Sequence, residues 1–227
     1  MGGMGPMATI DLMRKIILAT KASVDQEHVP VLVDSTPQIP DRTQAIIGKG
    51  KSPVPAMIDS AKRLEKGGSE FILIACNTAH YFLSEIQKEI SIPIISIIDV
   101  AVNAIENRGV KMVGIIATDG TIRTKLYQKK LIEHGIKCLV PPKRKQMLID
   151  DMIYNGVKAN NFEYDSKPVK ELLADMQAQG AGAFVLGCTE MPLAVSMYDI
   201  KGDFIDPTEE LAQTAVKLAG GKYVSLQ

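Results

Sequence analysis

Short runs of apolar residues alternate along the chain with longer segments in which apolar residues recur every three or four positions. The runs predict strands that are buried on both faces, and the periodic segments predict amphipathic helices. This alternation is typical of parallel sheets covered by helices, so the pattern predicts an α/β fold. The predicted strands are 29–35, 70–76, 92–97, 110–117, 135–140, 182–187 and 202–205. The predicted helices are 7–25, 54–66, 78–90, 100–107, 121–133, 144–155, 165–179, 190–197 and 207–219.

The two halves of the chain repeat one another, because three segments of the first half have counterparts in the same order in the second half. Three matches in one order indicate a duplication. The matching pairs are "GGSEFILIACNT" (67–78) with "GAGAFVLGCT" (180–189), "ISIIDVAVNAI" (95–105) with "GDFIDPTEELA" (202–212), and more loosely "GGMGPMAT" (2–9) with "GIIATDGT" (114–121).

The duplication predicts two pseudo-symmetric α/β/α lobes with mainly parallel sheets. We expect residues 1–98 with 207–227 to form the first lobe and residues 99–206 to form the second. Ligands of such sheets bind beyond the carboxyl ends of the strands, which predicts an active site in the cleft between the lobes.

The repeat also predicts a strand that the first half does not contain. In the second half the strand "KMVGI" leads into a glycine-containing turn, whereas in the first half the glycine loop starts at residue 2. We expect either that N-terminal residues are missing from this sequence or that the first sheet has lost a strand. We expect the gap to weaken the first lobe, and a strand that is truly absent to displace the Gly2–Pro6 loop and reduce activity.

Composition narrows the class of protein. The chain has 26 Lys plus Arg and 26 Asp plus Glu, so its formal net charge is zero, which gives no electrostatic reason to expect nucleic acid or an anionic membrane as a partner. The apolar runs are too short for a transmembrane helix, and the N-terminus lacks the zones of a signal peptide. Three cysteines without a C-x-x-C motif favour a reducing compartment over a disulfide scaffold. We expect a soluble, cytoplasmic protein.

Two of the cysteines suggest chemistry. Cys76 and Cys188 each follow a predicted strand and precede a predicted helix, where backbone N–H groups and the helix dipole favour a thiolate. Free N–H groups at such helix starts could also hold a substrate carboxylate. Two such thiols across one cleft suit a two-base proton transfer, in which a thiolate removes a proton from carbon and a thiol returns one from the opposite face. The alternative for either cysteine alone is a small buried apolar residue, which is the interpretation for Cys138.

Two other features point to chemistry less strongly. His80 lies four residues after Cys76, which is a possible metal-ligand spacing on a helix. The chain has three histidines and no further cluster around this one, so we interpret His80 as structural and expect no metal. The "GGMGP" loop is too short for a nucleotide-binding fingerprint and is interpreted as a turn near a ligand.

Four motifs together resemble the aspartate/glutamate racemase family, and most closely its aspartate racemases. They are "GGMGPMAT", "PDRTQAI" (40–46), "CNTAH" (76–80) and "GCTE" (187–190), and the similarity extends over essentially the whole chain. The resemblance implies a two-lobed racemase that needs no cofactor, acts on an acidic amino acid and is often a homodimer. It implies that Cys76 and Cys188 are the catalytic bases. The residues that it implies for substrate binding are Met4, Arg42, Asn77, Thr78, Thr121, Lys158 and Thr189.

The resemblance also bears on substrate choice. In aspartate-specific members an Arg of the "PDR" loop and a Lys of the second lobe hold the side-chain carboxylate, and Arg42 and Lys158 match these positions. An Arg fork suits a planar carboxylate and a Lys adds a point charge. This pair favours a four-carbon diacid over a longer one. The alternative for both residues is a solvated surface cation.

Other functions remain open at this point. Glutamate racemisation or maleate cis–trans isomerisation could use the same two thiols. A hydrolase with one nucleophilic cysteine activated by His80 would leave Cys188 without a role. A non-catalytic two-lobed binding protein would need neither thiol.

Overall fold

The computed structural model describes residues 1–224 and confirms an α/β fold with parallel sheets. Most predicted elements are present with narrower bounds. The helices are α1 (Pro6–Ala19), α2 (Arg42–Ile46), α3 (Val54–Lys66), α4 (Leu83–Gln87), α5 (Ile97–Asn107), α6 (Asp119–Thr124), α7 (Leu126–Glu133), α8 (Lys143–Asp151), α9 (Lys167–Ala178), α10 (Met191–Met197) and α11 (Pro207–Leu218). The strands are β1 (Ile72–Leu73), β2 (Ile94–Ile95), β3 (Met112–Ile116), β4 (Lys137–Leu139), β5 (Ala183–Leu186) and β6 (Phe204–Ile205). Short 3₁₀ turns cover Asp25–Glu27 and Thr78–Phe82, and a π-helical turn covers Met152–Val157.

The sheet of the second half has the order β4-β3-β5-β6, and all of its strand pairs are parallel. The central pair, β3 and β5, is buried almost throughout, as expected for strands with helices on both faces. Parallel strands end at the same edge of a sheet. The turn after β3 and the loop after β5, which carries Cys188, therefore lie side by side.

Within residues 1–224 the first half has only β1 and β2 as paired strands, and the prediction of a strand at 29–35 is wrong. Segment 29–35 has a single isolated bridge, from Ser35 to Gly2, and leaves Leu32 52% exposed. A groove of about 510 Å³ separates this segment from β1. The segment has the composition of a strand but no neighbouring strand to pair with, so its backbone forms no ladder.

Met1 and Gly2 occupy the carboxyl end of the position that a central strand would fill. The N–H of Ala75 donates to the carbonyl of Met1 at 3.0 Å, just as the N–H of Gly187 donates to the carbonyl of Ile116 at 2.8 Å. On the other side, the N–H of Gly2 donates to the carbonyl of Asp34. Met1 is thus the counterpart of the last residue of β3, and the positions that precede it in β3 correspond to the groove.

Several predicted helices differ in length from those observed. The helix predicted at 7–25 ends at Ala19, and the following hydroxyl, of Thr20, donates to the carbonyl of Ile16. The helix predicted at 121–133 is broken at Lys125, which has a left-handed backbone with φ of 57°. The helix predicted at 78–90 is a 3₁₀ turn followed by α4. Within residues 1–224 no helix is both long and apolar enough to cross a membrane.

The apolar core consists of three clusters. One lies within the first half around Met57 and Ile74, and one lies within the second half around Ile149 and Leu172. The third joins residues of α1, α5 and α11 to residues of β3 and β5, so this helix layer packs against strands of the second sheet. The lobe bounds 1–98 with 207–227 and 99–206 stay a prediction, and residues 225–227 lie outside the described part of the chain.

Candidate active site

The loops that follow β1 and β5 bring Cys76 and Cys188 to one small cavity, and each cysteine is only 6% exposed. The cavity has a volume of about 10 Å³, which is room for one water molecule at most. All predicted site residues except Thr121 and Thr189 line it. The lining is Met4, Asp41, Arg42, Thr43, Cys76, Asn77, Thr78, Thr118, Tyr154, Lys158, Cys188 and Glu190.

Arg42 lies beside Cys76 at the start of α2, and its side chain is buried. Its two terminal nitrogens donate to the backbone carbonyls of Ile39, Pro40 and Met4 at 2.9 to 3.2 Å. Burial disfavours the charge of Arg42, but the neighbouring Cys76 and Asp41 side chains outweigh this effect and raise its pKa. The guanidinium fork therefore holds the glycine loop at the cavity, and Nε has no partner within residues 1–224.

Asn77 presents a free donor next to Cys76. Its Oδ1 accepts a hydrogen bond from the Tyr127 hydroxyl at 2.5 Å, which fixes the orientation of the amide. Its Nδ2 is buried and has no partner among the described residues. A buried unpaired N–H is costly unless a ligand accepts from it. Asn77 Nδ2 and Arg42 Nε are thus two donors suited to a substrate carboxylate.

Three hydroxyls form a cluster that crosses the cleft. Thr78 Oγ1 lies 3.0 Å from Thr118 Oγ1 and 2.8 Å from Thr121 Oγ1, and the latter two lie 3.2 Å apart. Thr121 is behind the cavity wall, where it orients Thr78. Thr118 is also the N-cap of α6, since its side chain accepts from the N–H of Thr121.

Lys158 follows the π-helical turn and reaches the cavity from the second half. Its Nζ lies 3.2 Å from Glu190 Oε1 and 5.4 Å from the centre of the Tyr154 ring. Burial disfavours its charge, but Glu190 and the two cysteines raise the pKa of Lys158 overall. Lys158 is therefore a buried ammonium that already has a carboxylate partner.

Cys188 has acidic surroundings, in contrast to Cys76. Its Sγ donates to Glu190 Oε2 at 3.0 Å, and burial together with the Glu190 charge raises the pKa of Cys188 well above its ordinary value. Thr189 Oγ1 donates to the carbonyl of Ala75 at 3.3 Å. Thr189 thus ties the loop after β5 to the loop after β1, outside the cavity lining.

His80 is a structural residue. Its Nδ1 lies 2.9 Å from the carbonyl of Cys76, and its Nε2 accepts from the N–H of Ile97 at 3.1 Å. Both ring nitrogens are used by the backbone, and burial lowers the pKa of His80. The ring cannot act as the base for Cys76 without breaking these bonds, which counts against the single-cysteine hydrolase. Cys138 lies in β4, packed against the core.

The sequence reasoning missed four lining residues with clear roles. Glu190 was visible as the last residue of "GCTE", and Asp41 as the middle residue of "PDR". Tyr154 donates to Asp41 Oδ2 at 3.1 Å across the cleft, and Thr118 belongs to the hydroxyl cluster. No spacing in the sequence identifies these last two, because the π-helical turn and the strand end that position them depend on tertiary packing.

Residues 1–215 match the sequence model of the Asp/Glu/hydantoin racemase family. A solved structure of aspartate racemase from Picrophilus torridus is similar with a TM-score of 0.86 and 31% identity, over 98% of this chain and 94% of that one.

Two curated relatives show the range of substrates. A broad specificity amino-acid racemase from Bacillus subtilis is 27% identical over 222 residues, covering 95% of each protein. A glutamate racemase from Aquifex pyrophilus is 30% identical over 138 residues, which are 60% of this chain and 52% of that enzyme.

Proposed function

This chain belongs to the Asp/Glu/hydantoin racemase family, and we propose that it interconverts L- and D-aspartate without a cofactor. One observation carries the proposal. Two buried cysteines from equivalent strand ends line a single cavity that also contains one arginine and one lysine. A pair of thiols suits removal and return of a proton at opposite faces of one carbon, and the cations suit a diacid.

In the proposed reaction a thiolate takes the proton from the α-carbon, and the opposite thiol donates its proton to the other face of the carbanion. The backbone N–H groups after Cys76, Asn77 Nδ2 and the Thr78 hydroxyl hold the α-carboxylate, whose charge increases as the proton leaves. Such fixed donors in a site without water lower the barrier because they need no reorganisation.

Aspartate is the proposed substrate because Arg42 and Lys158 give the cavity two positive charges near the thiols. Arg42 offers Nε, and Lys158 offers the donors that Glu190 does not use. The similarity to an aspartate racemase over 98% of the chain supports this choice. The broad specificity and glutamate racemases among the relatives make glutamate and neutral amino acids the necessary comparison substrates.

Substrate entry requires the cavity to open, since about 10 Å³ cannot contain a four-carbon diacid. Three contacts hold it closed. They are the hydrogen bond from Tyr154 to Asp41, the hydrogen bond from Gly5 to Glu190, and the hydroxyl cluster of Thr78, Thr118 and Thr121. We infer that the lobes separate at these contacts and close again around the substrate.

The test is to incubate the purified protein with L-aspartate in D₂O and no added cofactor. Circular dichroism follows racemisation, and proton NMR follows deuterium at the α-carbon. We expect both signals in the wild type, and a loss of at least about 10³-fold in Cys76→Ala and Cys188→Ala, because each lacks one of the two acid–base groups. Cys138→Ala is the matched control and should retain full activity.

Other outcomes separate the remaining candidates. Activity on glutamate but not aspartate would replace the proposed substrate, and turnover of maleate would replace the proposed reaction. A variant at Cys188 that retained hydrolytic activity would support a single-cysteine hydrolase. Aspartate binding that survived loss of both thiols, with no turnover in the wild type, would leave a binding protein.

We also propose that the protein is a homodimer and is located in the cytoplasm. Helix α1 leaves Ile10 60% exposed, with Met7, Met13, Ile17 and Leu18 between 40% and 49% exposed. An apolar helix face of this kind suits contact with a second copy. Sedimentation equilibrium should give twice the monomer mass, and Ile10→Glu should shift the equilibrium to monomer, whereas Ile132→Glu on the exposed side of α7 should not.

A further inference from the structure

Tyr127 is a fully buried residue of α7 that contacts both loops that carry the cavity cysteines, although it does not line the cavity itself. Its hydroxyl donates to Asn77 Oδ1 at 2.5 Å, in the loop of Cys76. Its ring packs against Gly187, in the loop of Cys188, so closely that a Cβ atom at residue 187 would lie 3.2 Å from the ring carbon Cε2. One side chain therefore spans the two loops.

The turn at Lys125 brings this side chain to the loop of Cys76. The left-handed backbone of Lys125 separates α6 from α7. Helix α6 carries Thr121, whose hydroxyl lies 2.8 Å from Thr78 Oγ1, and α7 carries Tyr127. The two short helices of the second half thus hold the two residues that follow Cys76, each through one side chain.

The phenol of Tyr127 decides which end of the Asn77 amide is left free. Asn77 Oδ1 is its one hydrogen-bond partner within residues 1–224. Burial and the neighbouring Asp206 and Cys188 side chains raise the pKa of Tyr127 well above its ordinary value, so the hydroxyl is neutral and has a proton to donate. A phenol that donates selects the carbonyl end of the amide. Asn77 Nδ2 is the end without a partner in the described part of the chain.

We propose that Tyr127 is a positioning residue that holds the Asn77 amide as a hydrogen-bond donor to the α-carboxylate of the substrate and keeps this donor at a fixed distance from the loop of Cys188. The inference rests on the proposed racemase function, in which Asn77 Nδ2 binds the α-carboxylate. Tyr127 acts through Asn77 and does not contact the reacting atoms itself.

A fixed amide matters most when the α-proton leaves. The α-carboxylate then takes up the charge of the carbanion, so a donor aimed at it binds the transition state more tightly than the substrate. An amide that rotates presents its carbonyl oxygen to the carboxylate in part of the molecules, and this oxygen repels the growing charge. Loss of the phenol should therefore affect kcat more than KM.

The simplest alternative is that Tyr127 only fills the core. It belongs to the apolar cluster that joins α1, α5 and α11 to β3 and β5, and a buried phenol needs some partner. Tyr127→Phe separates the two roles, because phenylalanine keeps the ring and its packing against Gly187 and removes the hydroxyl alone. In a packing role, the variant would lose stability and keep its catalytic constants.

The first experiment is a double-mutant cycle of L-aspartate racemisation with Tyr127→Phe, Asn77→Ala and the double variant. We expect Asn77→Ala to lower kcat about 10²-fold, the usual loss when one donor to a developing oxyanion is removed. Tyr127→Phe should lower kcat about 10-fold and change KM less than about threefold, because its amide still donates in part of the molecules. The double variant should match Asn77→Ala within about twofold, since the phenol then has no amide to orient.

Tyr198→Phe is the matched control. Tyr198 is also a buried tyrosine, and its hydroxyl donates to the carbonyl of Asn161 at 2.8 Å. We expect this variant to lower Tm about as much as Tyr127→Phe does and to leave kcat unaltered. A double variant whose loss is the product of the two single losses would overturn the inference, and so would an unaltered kcat in Tyr127→Phe.

A second readout does not depend on racemase activity. In ¹⁵N-labelled protein, the side-chain amide signal of Asn77 is the one that disappears in Asn77→Ala, and its relaxation gives an order parameter without any ligand. We expect a rigid amide in the wild type, with an order parameter of about 0.8 or more, and a value below about 0.6 in Tyr127→Phe. Tyr198→Phe should keep the wild-type value.

The two readouts separate failure of the inference from failure of the proposed function. An equal order parameter in wild type and Tyr127→Phe would overturn the inference whatever the racemase assay shows. A mobile amide in Tyr127→Phe, in a protein that racemises nothing, would reject the proposed function and keep the hold of Tyr127 on Asn77. Racemisation by the wild type with independent losses in the cycle would reject the inference alone.

Discussion

In the described part of the chain, the sheet of the second lobe has four hydrogen-bonded parallel strands, whereas the sheet of the first has two. Both lobes nevertheless place a cysteine at the carboxyl end of a strand and bring it to the same cavity. The first lobe has a groove of about 510 Å³ and an unpaired segment at 29–35 where the second has β3 and β4. The position of the cysteine loop thus depends less on the number of paired strands in its sheet than the duplication suggests.

Contacts across the cleft explain why the first lobe keeps its loops at the cavity although its sheet has fewer paired strands. The glycine loop is held by Arg42 at the carbonyl of Met4 and by Glu190 at the N–H of Gly5. Gly3 has a φ of 88°, and a side chain there would approach the backbone of Thr36 to 2.4 Å. The glycine loop is therefore held in place by its own backbone conformation and by contacts from both lobes. It stays at the cavity although a groove lies beside the first sheet.

The largest expected effect comes from β3, the central strand of the second sheet. Ile115 lies in β3 and is fully buried in the shared core, so Ile115→Ala should cost about 3–4 kcal/mol and lower Tm by roughly 10 °C. Leu32, in the segment beside the groove, is 52% exposed, and Leu32→Ala should cost less than about 1 kcal/mol. Thermal unfolding monitored by circular dichroism compares the two. Equal losses would mean that segment 29–35 packs as firmly as β3.

A smaller effect should follow from filling the groove. Met1 corresponds to Ile116 in its hydrogen bonds, so residues 110–115, "VKMVGI", added in front of Met1 would supply the central strand in register. The graft would cover the exposed walls at Val31, Leu32 and Val33. We expect a gain of about 2 kcal/mol, because burial of these walls and of the new apolar side chains outweighs the ordering of the added backbone.

Hydrogen exchange distinguishes a filled groove from a loose extension. Amides of 29–34 and 71–74 should become protected in the graft. The control is "VKPVPI", in which two prolines remove backbone donors and exclude a central strand. If both versions change protection and Tm to the same extent, the groove does not take up a strand.

Much of the fold could be predicted from the sequence, because apolar runs that bury both faces are unambiguous when they lie between helices. The runs at 110–117 and 182–187 form β3 and β5 with shifts of one or two residues. The run at 29–35 looks the same in composition but forms no strand. A strand needs a partner strand, and the local sequence does not show whether segment 29–35 has one. The interruption of the predicted helix 121–133 at Lys125 could not be predicted either, because lysine gives no local signal for a left-handed backbone.

The residues of the site also fall into those that could be predicted from the sequence and those that depend on tertiary packing. The cysteines, Asn77 and Thr78 follow strand ends of two different sheets, and the duplication together with the binding of ligands beyond the carboxyl ends of strands predicts that they meet in one cleft. Arg42 was identified, but its carbonyl partners were not, because they depend on how segment 35–42 folds over the glycine loop. Glu190 is two residues from Cys188, yet its contact with the sulfur depends on the backbone of the loop and on Lys158.

The smallest expected effect lies in the helix layer between the lobes. Burial and the charges of Asp206 and Glu210 raise the pKa of Glu209, near the start of α11, from 4.5 to about 7. The folded chain then holds this proton more tightly than the unfolded chain. The stabilisation is full below pH 4.5 and is lost as the pH rises to about 7. Glu209→Gln should therefore match the wild type at pH 4.5 and exceed it at pH 8 by about 1 kcal/mol, after allowance for solvent screening. Urea unfolding at the two pH values measures this difference, and Glu171→Gln on the exposed face of α9 is the control. A difference that is the same at both pH values would show that Glu209 is already ionised in the folded chain at pH 4.5, and that the helix layer tolerates its charge.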